Sequence, residues 1–261
     1  MWKINKKANK IALRNPILIE GLPGIGNVGK VAVDFMIDDL KAKKLCEFES
    51  HAYPHSVFVN EKNLIELPTI EVYYKQLKNK KNDLMFLSGD VQPVDEMSCY
   101  QFSEKVIELF QEYKGKELIT LGGVALKEAP KKPQVYCTGN CSKMIKNYAK
   151  GMAINKNLYG AIGPIIGVSG LLLGLAKKRN IPAITLLAET YAHPMYLGVN
   201  GAKEILNILN KKIGVNVRIK ELEKEIKELE EEMLKETNNS LKPARLKKIK
   251  SKLRNDMNYI G

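Results

Sequence analysis

Pro16-Ile17-Leu18-Ile19-Glu20-Gly21-Leu22-Pro23-Gly24-Ile25-Gly26-Asn27-Val28-Gly29-Lys30-Val31-Ala32-Val33-Asp34-Phe35 is the stretch on which the fold turns. It opens as a short apolar, β-branched run ending in a charge, which reads as a buried strand. Glycines punctuate the next nine residues, and Val28, Val31, Ala32 and Phe35 then recur at helical spacing. Strand, glycine turn and helix in that order open an α/β unit.

The same alternation continues outward. Residues 83–88, 117–121 and 182–187 read as further strands, and Phe102, Val106, Leu109, Phe110 and Tyr113 form one face of an amphipathic helix between them. Repeated strand and helix imply right-handed crossovers and a mostly parallel sheet covered on both sides. Residues 45–75 break the pattern with turn signals at Pro54, Asn60, Asn63 and Pro68, so an antiparallel excursion is expected there. This α/β domain is assigned residues 1–213, closing on a helix over 201–212.

Beyond it, Val215, Ile219, Leu222, Ile226, Leu229 and Met233 step by fours and threes, the period of a coiled-coil seam. Residues 221–236 contain eight Glu and three Lys, whereas residues 242–254 contain seven Lys or Arg and no acid. A C-terminal helical or coiled-coil extension over 214–261 is therefore expected, either as an internal hairpin or as a seam between subunits. Ile219, Leu222, Ile226, Leu229 and Met233 are its candidate oligomerisation residues.

With 44% apolar and 27% charged residues, the 261-residue chain has the composition of a folded globular protein. No apolar run suits an export signal or a membrane span, because the longest, residues 161–176, is broken by Gly163, Pro164, Gly167, Gly170 and Gly174. The four cysteines are too sparse for a disulfide scaffold, so a cytoplasmic location is expected. The net charge of +13 is spread in short lysine groups along the chain. That pattern fits a solvated surface, and nucleic acid is not an expected partner.

The glycine loop resembles two nucleotide motifs without completing either. Gly24, Gly26 and Gly29 match the dinucleotide pattern, yet the next acids, Glu47 and Glu49, fall in the hairpin-like segment. Residues 24–30 match the start of a phosphate-binding loop, but Val31 stands where that motif needs a hydroxyl for Mg²⁺. A structural role is expected for Gly21, Pro23, Gly24, Gly26 and Gly29: they let a strand turn into a closely packed helix. Lys30 should then be dispensable for association and partner binding.

Taken with four later motifs, the loop resembles the archaeal proteasome-assembly chaperone family. In order these are Ser88-Gly89-Asp90-Val91-Gln92-Pro93, Leu121-Gly122-Gly123, Gly163-Pro164-Ile165-Ile166-Gly167-Val168-Ser169-Gly170 and Leu187-Ala188-Glu189-Thr190. The resemblance spans residues 15–210. It implies a three-layer, nucleoside-phosphorylase-like α/β fold, homo-oligomeric assembly, and docking on the α ring of the 20S proteasome or pairing with a paralogue. It also points to the C-terminus, where family members can dock through a hydrophobic residue, a tyrosine and a final residue of any type. The chain ends Asn258-Tyr259-Ile260-Gly261, with the tyrosine one position early. Tyr259, Ile260 and Gly261 are the partner-binding candidates, either as a variant docking tail or as residues packed on the last helix.

Other constellations read as structural. Cys137 and Cys141 with His51 and His55 have ligand chemistry, but Pro54 keeps the histidine pair off a helix and the resemblance carries no metal. Ser169 has glycine at only one of the two flanking positions of a nucleophile elbow. Glu189 and His193 are the most plausible acid–base pair of an α/β enzyme acting on a nucleoside-like molecule, the rival reading. No catalytic residue, cofactor or metal is expected.

Overall fold

In a computed structural model, residues 2–6, 11–60, 62–78, 80–160, 162–193, 196–222 and 224 are described. Elements are numbered in chain order. The first are β1 (Lys3–Lys6), β2 (Ile17–Glu20), α1 (Val28–Asp39) and β3 (Lys43–Glu49). Next come a small hairpin of β4 (Phe58–Val59) and β5 (Ile65–Glu66), then β6 (Ile70–Lys75), β7 (Leu84–Gly89) and α2 (Glu96–Glu112). The rest are β8 (Glu117–Leu126), β9 (Val135–Gly139), α3 (Ser142–Ala149), β10 (Ile154–Asn155), α4 (Val168–Lys178), β11 (Ala183–Tyr191) and α5 (Val199–Ile213).

Among the described residues, nine strands form one sheet in the order β1-β3-β6-β7-β2-β8-β11-β9-β10. Its centre, β7-β2-β8-β11, is parallel. The expected mostly parallel sheet requires correction: four ladders are parallel and four antiparallel. The connections explain this. Residues 76–83, between β6 and β7, and residues 127–134, between β8 and β9, are shorter than the roughly dozen residues that a parallel crossover needs. Each returns its strand antiparallel, the first directly after the excursion read from residues 45–75.

Alternate residues of each central strand face opposite layers, so a strand buried on both sides reads as a continuous apolar run. Ile17, Ile19, Leu84, Phe86, Ile119 and Ile184 pack under α1, α3 and α5. Leu18, Met85, Leu87, Leu118 and Ala183 pack against Phe102, Val106 and Phe110 of α2 and Leu172 and Ala176 of α4. The result is three layers. Asp95 caps α2 by accepting from the Ser98 N–H at 2.9 Å, and the face read from Phe102 to Phe110 is buried. Gly214, at φ 72°, ends α5 in the left-handed conformation that favours glycine.

The expected boundary at residues 213/214 falls inside the packed unit. Val215, Val217 and Leu222 are buried in the same core as α1 and α5, and Ile219 packs against it. The Asn210 side chain fixes this return: its Oδ1 accepts from Val217 N–H at 3.0 Å and its Nδ2 donates to Val217 C=O at 2.9 Å. Arg218 then pairs with Asp39 at the end of α1, at 2.7 Å. Leu222, expected in an oligomerisation seam, is instead buried by its own chain, and Ile219 of the same seam is half-buried against that core, because the turn at Gly214 folds the segment back. Ile226, Leu229, Met233, Tyr259, Ile260 and Gly261 lie outside the described residues. Among the described residues, no helix is long and apolar enough to cross a membrane.

Candidate functional site

The five motifs scattered through the sequence meet at the carboxyl ends of the central parallel strands, where open α/β sheets place their functional crevice. The glycine loop is the hub. A Cβ on Gly21 would lie 2.2 Å from the Gly29 carbonyl oxygen, and one on Gly29 would lie 2.4 Å from that of Leu121. One on Gly123 would lie 2.2 Å from the carbonyl oxygen of Ile25. Strand, loop and helix backbones touch there directly, a proximity that any side chain would prevent. Gly26, at φ 59°, turns the loop beside Thr190, and its carbonyl accepts from the Gly198 N–H at 2.7 Å. Gly24 differs, with nothing within 4 Å of its added Cβ.

Polar side chains tie the loop to the opposite layer. Gln92 donates to the Pro23 carbonyl at 2.7 Å and accepts from Val168 N–H, at the start of α4, at 3.2 Å. Glu20, at the end of β2, is fully buried. It accepts from the Leu22 N–H at 2.9 Å and from the Ser169 hydroxyl at 2.9 Å. Burial pushes its pKa up to about 7, against the two donors, which favour the charged form.

Lys30 points from α1 into a cavity of about 270 Å³, shared with Asp34, Glu71, Tyr73, Ser88 and Asp90. The buried Lys30 ammonium pairs with Asp34 at 2.9 Å, and Ser88 donates its hydroxyl to the same carboxylate. Burial still holds Asp34 above the usual carboxylate range. The Tyr73 hydroxyl is committed to Glu71, and that of Thr69 to Asp90 at 2.9 Å. Lys30 is thus part of an internal network, which the i,i+4 spacing of Lys30 and Asp34 in the sequence could have indicated.

The rival acid–base pair is otherwise occupied. Glu189 accepts from the Gln134 N–H and from the Tyr136 hydroxyl, each at 2.9 Å, while His193 stacks on Tyr191 with ring centroids 5.5 Å apart. Cys137 is buried, its thiol pushed up to about 12 by desolvation, and Cys141 is half-buried. Among the described residues, no group of three or more His, Cys, Asp or Glu is placed to hold a metal. Sequence reasoning missed Glu20 and Gln92 as organising groups. The signal available was a lone acid closing an apolar strand and a glutamine inside a motif.

Residues 18–237 match the PAC2 family. The uncharacterized protein MJ1210 of Methanocaldococcus jannaschii is 30% identical over 99% of this chain and 97% of its own length. Among solved structures, Pyrococcus furiosus PbaB, described as an archaeal proteasome activator, superposes with a TM-score of 0.80 at 31% identity, covering 91% of this chain and 99% of PbaB. Pyrococcus furiosus PbaA, described as an archaeal homolog of proteasome-assembly chaperone, gives a TM-score of 0.73 at 22% identity, over 96% and 95% of the two chains, and shares the fold. On the family match across most of its length, the chain belongs to the PAC2 family.

Proposed function

We propose that this protein is a non-catalytic, self-associating chaperone of the proteasome-assembly type, which binds partner proteins in the cytoplasm, the 20S proteasome α ring among them. The observation that carries this reading is the likeness to PbaB, at 31% identity over nearly all of that chain. The junction at the strand ends supports it, since Gly21, Gly29 and Gly123 pack on neighbouring backbone, Glu20 holds Leu22 and Ser169, and Gln92 holds Pro23 and Val168. Native mass spectrometry of the full chain with purified archaeal 20S proteasomes tests it. A stable complex, weakened at least tenfold by removing residues 259–261, is the expected result. No complex at tens of micromolar would refute the partner assignment.

The cavity around Lys30, Asp34 and Ser88 favours a second reading, an α/β enzyme acting on a nucleoside-like molecule. The same spectra discriminate. A small molecule retained by the protein, with no proteasome bound, would support the enzyme.

A further inference from the structure

A groove of about 690 Å³ opens between α5 and β10, the outermost strand at the end of the sheet opposite β1. Its floor is apolar, with Val135 and Ile208 buried and Ile154 half-buried. Its rim is basic. Lys132, from the loop before β9, and Lys211, from the last turn of α5, are exposed, and neither forms an ion pair among the described residues. Two unpaired ammonium groups above an apolar floor are complementary to an amphipathic chain that carries carboxylates.

We propose that this groove receives the acid-rich segment 225–236 of a second copy of the chain. That segment has six Glu and two Lys, with Ile226, Leu229 and Met233 at intervals of three and four. It offers carboxylates for the rim and apolar side chains for the floor. Because the whole chain carries +13, the part outside this segment is more basic still, and copies brought together without it repel. Seating the acid of one copy on the lysines of the next offsets that repulsion.

The path of the chain selects a second copy over the same one. Val217 and Leu222 are buried beside α1, and Arg218 is anchored to Asp39. α5 has α1 on one side, where α1 packs on it and on β7 and β8, whereas Glu204, Ile208 and Lys211 line the groove on the side of β9 and β10. The chain therefore leaves on one flank of α5 and the groove opens on the other. The inference rests on the self-association proposed above and not on the proteasome as partner.

Isotope-mixed cross-linking tests it. Unlabelled and ¹⁵N-labelled full-length chains are refolded together and treated with a carbodiimide, which couples carboxylates to amines in contact. The expected products join Lys132 or Lys211 of one isotope to residues 225–236 of the other. Reversing both rim charges, Lys132→Glu with Lys211→Glu, should lower the sedimenting mass, and adding Glu228→Lys with Glu232→Lys should restore it. Lys132→Arg with Lys211→Arg, which keeps the charge, should leave the mass unchanged. Links within one isotope only, links from residues 225–236 only to the basic segment 242–254, or a mass unmoved by charge reversal would each overturn the proposal. A wild-type monomer would overturn self-association as well, whereas an oligomer lacking these links would overturn the groove alone.

Discussion

At the scale of single residues, the glycine loop separates two kinds of glycine that look alike in the sequence. Gly29 cannot accept a Cβ without moving the Leu121 backbone, so Gly29→Ala should cost about 3 kcal/mol or more in urea unfolding, the upper range for overpacking. Gly24→Ala, with open space and φ −162°, should stay within about 1 kcal/mol of wild type. Equal losses at both positions would refute the close-packing account. Glu20 supplies a pH dependence. Its pKa is raised to about 7 from the ordinary value of 4.5, so the folded state holds the proton more tightly than the unfolded chain. Its contribution is full below pH 4.5 and is lost as pH rises to about 7. Between pH 5 and pH 8 this amounts to about 2–3 kcal/mol. Glu20→Gln should remove that part of the slope, seen as a smaller stability difference between the two pH values than in wild type.

At the scale of elements, strands were legible where both of their faces are buried. The runs at residues 17–20, 84–89, 117–121 and 183–187 are apolar on both parities because each parity meets its own helical layer. The helix face from Phe102 to Phe110 was legible because it is buried while the opposite side is exposed. What failed to show was the fate of Val215, Ile219 and Leu222. A stripe spaced by threes and fours records that one side is covered and says nothing about what covers it. Here the cover is the chain's own core, through a turn fixed by Gly214 and a side-chain bond from Asn210, neither of which is a periodic signal. Leu222→Ala should accordingly destabilise the whole α/β unit by about 2 kcal/mol or more, measured as a shift of the main denaturation midpoint. An unchanged midpoint would mean that Leu222 belongs to an independent tail. The candidate site was half legible. The glycines announced the loop, but the groups that hold it, Glu20 and Gln92, lie in segments whose own periodicity is that of a strand or a turn.

At the scale of the whole molecule, the sheet order makes neighbours of segments far apart in the chain. β2 lies between β7 and β8, and β11 separates β8 from β9, although β8 and β9 follow each other directly in sequence. As the chain emerges from the ribosome, β2 waits for strands more than sixty residues downstream, and β8 is left with one unpaired edge until residues 183–191 arrive. Pairings of such long range are slow to form, and open apolar edges invite wrong partners meanwhile. For a protein read as a chaperone of another assembly, the last strand among the described residues is thus the one that closes its own sheet, and until it is synthesised the nascent chain is itself a client for protection.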